Sequence, residues 1–211
     1  MMEKIIFWLI FCYLFASIPN GYLIVKWMAK KDIRKIDKKK LSGSNIIKNI
    51  GFLPGLLSAA IDIFKGSMAV WGAQILNLPS FFIALSGALA VCGQMWPIFL
   101  KFWGGRGGAT SLGAVLTLSW QICVISASIW LVLKFLSKNY GAPLGMLIFY
   151  PLSMFLANIY HNEAIFYFSM ISFFLILIQR VLGEPGSIFK IKDKKVFLWR
   201  LLFDRDTKEN I

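Results

Sequence analysis

The chain is 211 residues long, 58% hydrophobic, and carries a formal net charge of +13. Charge and apolarity fall in separate stretches, and several apolar runs are long enough to cross a bilayer, which excludes a soluble basic domain. Of the 23 Lys and Arg residues, nine lie between Lys26 and Lys48 and eight between Arg180 and Lys208. Beside apolar runs such blocks read as cytoplasmic loops, and no nucleic-acid partner is expected.

Apolar segments are predicted at about residues 5–25, 51–76, 79–100, 109–135, 140–158 and 164–182. The first follows Met1–Lys4 with no small-residue cleavage pattern after it, so it reads as a retained span. Pro19 within it and Pro54 near the start of the second are expected to loosen those helices locally. Between the two lies the basic loop, ending in Ser42-Gly-Ser-Asn45 and Lys48. A helix N-cap is the economical explanation of that polar group. The alternative is an anion site in which Ser44, Asn45 and Lys48 share a phosphate with Arg106. Asp62 and Lys65, three residues apart in the second apolar segment, share one helix face. They are either functional cavity charges or a structural ion pair closing a helix interface.

Between the third and fourth segments stands Gly104-Gly-Arg-Gly-Gly108. Gly104, Gly105, Gly107 and Gly108 let backbone N–H groups approach a ligand, and a helix start after them adds its positive dipole end. Arg106 supplies a planar charge suited to phosphate. A plain interfacial turn is the competing explanation. Cys12, Cys92 and Cys123 are scattered small core residues, and the one histidine, His161, lies in a short polar link, so no metal site or cofactor is expected.

Six spans conflict with the charge pattern: if the Lys26–Lys48 loop is cytoplasmic, alternation sends the basic tail outside. The 27 residues from Ala109 to Phe135 would make a helix of roughly 40 Å against a hydrocarbon core of about 30 Å. A division near Leu118-Ser119-Trp120 gives a short half-helix and a second, longer one, and returns the tail to the cytoplasm. Broken helices at membrane depth also tend to carry ligand sites. The expected fold is therefore an all-α polytopic membrane helix bundle with about seven crossings. Residues 1–182 form the transmembrane domain. Residues 183–211 form a basic interfacial tail, with Ile188, Phe189, Ile191, Val196, Phe197, Trp199, Leu201, Leu202 and Phe203 interspersed.

Ser17-Ile-Pro-Asn-Gly-Tyr22, Asp32-Ile-Arg-Lys-Ile36, Asp62-Ile-Phe-Lys-Gly66 and Gly93 to Thr110 resemble, in order and spacing, the bacterial acyl-phosphate-dependent glycerol-3-phosphate acyltransferases. The resemblance runs from about Ser17 to Glu184. It implies a seven-span inner-membrane enzyme of phospholipid synthesis with its active site toward the cytoplasm. Such an enzyme transfers an acyl group from acyl phosphate to glycerol 3-phosphate, giving lysophosphatidate and phosphate, without metal or acyl-CoA. Carried over by position, Arg106 and Lys48 contact phosphate, and Ser44 and Asn45 end the phosphate-cradling loop. This chain departs from the family at four places. Asp37-Lys38-Lys39-Lys40 replaces a Gly-Ser-Gly-Asn run, and Gln94 replaces the His that follows Gly93. Phe174 and Leu177 stand where the family has His and Asn, and Pro143 aligns loosely with a serine. Two other readings stay open. One is a catalytically degenerate paralogue that binds a phospholipid precursor or modulates an active acyltransferase. The other is a small anion transporter lined by Asp62, Lys65 and Arg106.

Overall fold

The computed structural model describes residues 2–32, 41–136, 141–182 and 194–203. The lysine run at 38–40 and the stretch 183–193 of the tail lie outside them. Ten α-helices account for nearly all the described chain: α1 (Met2–Ala16), α2 (Asn20–Ala29), α3 (Gly43–Asn49), α4 (Phe52–Ile75), α5 (Ser80–Met95), α6 (Gly108–Leu118), α7 (Trp120–Leu136), α8 (Gly141–Ile159), α9 (Glu163–Leu182) and α10 (Lys194–Phe203). They form two compact units, Met1–Leu118 and Ser119–Ile211.

Four helical stretches are long and apolar enough to cross a membrane: Met2–Ala29, Phe52–Ile75, Ser80–Leu100 and Glu163–Leu182. Three shorter apolar helices, Gly108–Leu118, Trp120–Leu133 and Pro143–Ile159, join them. Large apolar side chains such as Phe7, Phe64, Trp71, Phe155 and Phe174 stand more than half exposed on these helices. In water that would be costly. Toward lipid tails it is the expected outer face of an integral membrane bundle.

The division near Ser119 is present. α6 stops at Leu118 and α7 starts at Trp120. The Ser119 hydroxyl accepts a hydrogen bond from the Ile122 amide at 3.4 Å, a side-chain cap for the new helix. Eleven residues make α6 roughly 16 Å long, about half a hydrocarbon core. The two prolines behave differently from one another. Pro19 interrupts the first span outright between α1 and α2, because it has no N–H and disfavours helical backbone at Ile18. Pro54 loosens nothing. It sits in the first turn of α4, where amides have no intrahelical acceptor in any case.

Within the first unit, α4 is the central element: α1, α2, α3, α5 and α6 all pack on it. Small residues set the closest approaches. A Cβ at Gly66 would strike the Thr110 carbonyl, and one at Gly113 would strike the Ile63 carbonyl, so α4 and α6 cross with their backbones in contact. Ser67 adds a hydrogen bond from its hydroxyl to the Gly113 carbonyl at 3.0 Å. At Gly93, α5 comes as close to the end of α1, against the Tyr13 carbonyl and the Ala16 methyl.

Within the second unit, α8 packs between α7 and α9, with α10 against α8 and α9. The Ser153 hydroxyl donates to Ser126 at 3.0 Å across the α7–α8 contact. Arg180 is 2% exposed. Its guanidinium donates to the Pro143 carbonyl at 2.6 Å and to the Leu201 and Leu202 carbonyls at 2.5 and 3.3 Å. Those last two belong to the final turn of α10, whose carbonyls have no intrahelical partner. Of the apolar tail residues, Phe197, Leu198 and Leu202 remain exposed on α10.

Candidate functional site

The glycine-rich run closes a tight return from α5 to α6. After α5, a 3₁₀ turn spans Ile98–Leu100, and Lys101 and Phe102 adopt left-handed backbone with φ of 54° and 63°. The Phe102 amide donates back to the Pro97 carbonyl at 2.9 Å. The chain then runs along the carbonyl end of α5: the Gly105 amide donates to the Gln94 carbonyl at 2.9 Å. Gly107 is left-handed at φ +68°, with Val91 and Met95 beside it, and α6 begins at the next residue. Ser111 fastens the start of α6, donating from both its amide and its hydroxyl to the Gly107 carbonyl at 2.8 and 2.9 Å.

This geometry refines the expected role of the glycines. Gly104 and Gly105 are needed for close packing: a Cβ at Gly104 would meet the Gln94 and Met95 carbonyls, and one at Gly105 the Leu41 carbonyl. The Gly105 N–H is spent on α5. The amides of Gly107 and Gly108, at the N-terminus of α6, have no hydrogen-bond partner among the described residues. Arg106 stands half-buried between Gly105 and Gly107.

The contact between Gly105 and Leu41 joins the two polar clusters noted in the sequence. Leu41 leads directly into α3, and Leu41, Ile46 and Val25 form one buried cluster that also holds Leu100 and Trp103 from the return loop. Ser42 caps α3, its hydroxyl accepting from the Asn45 amide at 3.4 Å. Ser42 is therefore the cap, which leaves Ser44 and Lys48 exposed on α3, one helical turn apart on one face. Asn45 is half-buried, and its side-chain oxygen accepts from Asn49 at 2.9 Å.

Asp62 and Lys65 do not line an open cavity: they are 4% and 2% exposed. They are also not a simple ion pair. The Lys65 ammonium donates to the Ala16 carbonyl at 3.2 Å, to the Ile18 carbonyl, to Asn20 Oδ1 at 2.6 Å and to Gln94 Oε1 at 3.5 Å. It thus caps the break between α1 and α2, bonding the Ala16 carbonyl and sharing the Ile18 carbonyl with the Asn20 amide. Asn20 completes the link by donating from Nδ2 to the Ser58 carbonyl at 3.0 Å. Asp62 Oδ1 has no hydrogen-bond partner among the described residues. Asn20 and Gln94 were not singled out as functional from the sequence. Their signals were a place in the family-like motif Ser17–Tyr22 for Asn20 and the replacement of a family histidine for Gln94, each an uncharged polar residue within an apolar run.

Phe174 and Leu177 lie off the face that α9 buries through Phe168, Ser172, Ile176 and Arg180, and Phe174 is 59% exposed. Pro143 meets Arg180 through its carbonyl.

Comparison with known proteins matches residues 6–182 to the family model described as glycerol-3-phosphate acyltransferase. A glycerol-3-phosphate acyltransferase of Prochlorococcus marinus (strain MIT 9312) is 34% identical over 189 residues, covering 83% of this chain and 93% of the relative. One from Thermotoga petrophila is 33% identical over 148 residues, covering 70% of this chain and 74% of the relative. Among solved structures, the lysophosphatidic acid form of PlsY (YgiH), an integral membrane glycerol 3-phosphate acyltransferase, superposes with a TM-score of 0.75 at 23% identity, over 89% of this chain and 92% of that one. Its glycerol 3-phosphate form gives 0.74 at 24% identity, over 90% of this chain and all of that one. At these identities the two structures establish the shared fold.

Proposed function

Since the chain belongs to the glycerol-3-phosphate acyltransferase family, we propose that it acylates glycerol 3-phosphate from an acyl phosphate, feeding phospholipid synthesis from the cytoplasmic face of the cell membrane. The observation that carries the site assignment is the contact of Gly105 with the Leu41 carbonyl, which sets the glycine loop beside the start of α3. Two anion-suited clusters, one bearing Arg106 and the other Ser44, Asn45 and Lys48, thereby belong to one region of the first unit.

In this reading the glycerol 3-phosphate hydroxyl oxygen attacks the carbonyl carbon of the acyl phosphate. The carbonyl π electrons move to oxygen, and the tetrahedral intermediate collapses by breaking the bond to phosphate. The hydroxyl proton goes to a phosphate oxygen of the leaving group, so no general-base side chain is required. Arg106 and Lys48 neutralise the substrate phosphates, Ser44 and Asn45 hydrogen-bond the donor, and the Gly107 and Gly108 amides with the α6 dipole stabilise developing negative charge. The protein's main contribution is to hold two anionic reactants together. The burial of Asp62 and Lys65 and the hydrogen bonds that hold the Lys65 ammonium favour this over ion transport through the first unit.

The deciding experiment is turnover by the purified full chain given acyl phosphate and glycerol 3-phosphate, following phosphate release and lysophosphatidate. Wild-type protein that binds glycerol 3-phosphate without turnover would establish the degenerate paralogue instead. Topology supplies a separate check. Single cysteines placed at Lys31, Arg106 and Lys194 in a Cys-free background are expected to resist membrane-impermeant thiol reagents applied from outside. Labelling at Lys194 from outside would defeat the seven-crossing arrangement.

A further inference from the structure

Lys65 lies within α4, yet its ammonium reaches Gln94, the residue near the end of α5 that anchors the return loop. An ammonium has donors and no acceptor, so it can face only the oxygen of the Gln94 side-chain amide. That fixes which way the amide points. With Oε1 turned 3.5 Å from Lys65 Nζ, Nε2 is turned the other way, to 3.5 Å from the place a Cβ on Gly105 would occupy. Nε2 has no hydrogen-bond partner among the described residues, although Gln94 is only 9% exposed. The backbone of the same residue holds the loop, through the bond from the Gly105 amide to the Gln94 carbonyl.

We propose that Lys65 is a positioning residue for the phosphate loop: it orients Gln94 so that the Nε2 donor stands beside Gly105, directed at bound phosphate. The inference rests on the assignment of the glycine loop as the phosphate site. It gives this chain's glutamine, in the place where the family has histidine, a stated job. It also explains why a charge is buried in the middle of a span with no carboxylate bonded to it among the described residues: the charge orders three segments at once. These are the α1–α2 break, the start of α2 at Asn20, and the end of α5.

Gln94→Glu separates orientation from packing. The substituted side chain keeps an oxygen for Lys65 and gains a charge attraction to it, so folding is preserved. The donor beside Gly105 becomes an anionic acceptor, which repels phosphate. The expected result is a rise in KM for glycerol 3-phosphate of roughly ten- to a hundredfold, as for loss of a charged hydrogen bond, with an unchanged melting temperature in detergent. Gln94→His, which keeps one acceptor and one donor, is expected to retain most of the affinity. Lys65→Met is expected to raise KM as well, together with a lower melting temperature. Inorganic phosphate titrated calorimetrically into wild type and Gln94→Glu gives the same comparison without turnover. Equal KM and equal phosphate affinity in wild type and Gln94→Glu would overturn the inference, as would a wild type that binds no phosphate. A wild type that binds phosphate with the expected difference but forms no lysophosphatidate would overturn the acyltransferase assignment alone.

Discussion

Arg106→Ala is expected to weaken glycerol 3-phosphate binding by about 1.5–3 kcal/mol, which is roughly a ten- to hundredfold loss in kcat/KM. Arginine stands half-buried in the loop that joins α5 to α6, next to the Gly107 and Gly108 amides, which have no hydrogen-bond partner among the described residues. Removing it takes away the only side-chain cation in the return from Trp103 to α6. Arg106→Lys keeps the charge and loses the planar fork, so it is expected to recover part of the loss in KM. The measurement is KM and kcat alongside melting temperature. An alanine variant with normal KM would mean that the loop is only a turn between spans. The glycines are a weaker probe of the same idea, because Gly105→Val strikes the Leu41 carbonyl and Gly107→Val forces a branched side chain to φ +68°. Both changes distort the loop whether or not it binds an anion.

That ambiguity marks the boundary of what the sequence made legible. A glycine needed for an anion and a glycine needed for packing leave the same letter. At Gly104 and Gly105 the structure shows packing, and at Gly107 and Gly108 the amides have no partner among the described residues. The break at Ser119 was readable because it follows from quantities a sequence does contain: segment length and the placement of Lys and Arg. The break at Ser17–Pro19 was only half readable. Pro19 announced a disturbance, but not that Lys65, 46 residues later, would hold the freed carbonyls. Asp62 and Lys65 looked like a pair because side chains at i and i+3 share a face. The structure gives Lys65 the Ala16 and Ile18 carbonyls as well as the side-chain oxygens of Asn20 and Gln94, and the backbone acceptors are invisible to any argument made from side-chain types. Ser42 is an intermediate case: a serine N-cap does form in the polar group, but it caps the short separate helix α3, while the second span, α4, starts after Gly51 with no side-chain cap.

The largest structural effect is expected where α6 meets α4. Gly66→Val and Gly113→Val are each expected to destabilise the first unit by about 3 kcal/mol or more, the upper end of overpacking effects. At both positions the obstacle to a side chain is a backbone carbonyl, of Thr110 and Ile63 respectively, so no rotamer change relieves the clash. The helices must separate, and α6 carries the Gly107–Gly108 amides at its first turn. Activity should therefore fall even in the fraction that stays folded. Gly72 provides the contrast. A Cβ there meets the ring of Trp8, a side chain rather than backbone. Gly72→Ala should be relieved by Trp8→Leu, at the loss of the indole hydrogen bond to the Ala69 carbonyl. No trimming of Thr110 should relieve Gly66→Val, since the carbonyl remains. Thermal unfolding of the single and paired variants in detergent tests this directly. If Thr110→Ala restored Gly66→Val, the α4–α6 contact would be side chain on side chain, and the backbone-contact account of how the loop is held in place would be wrong.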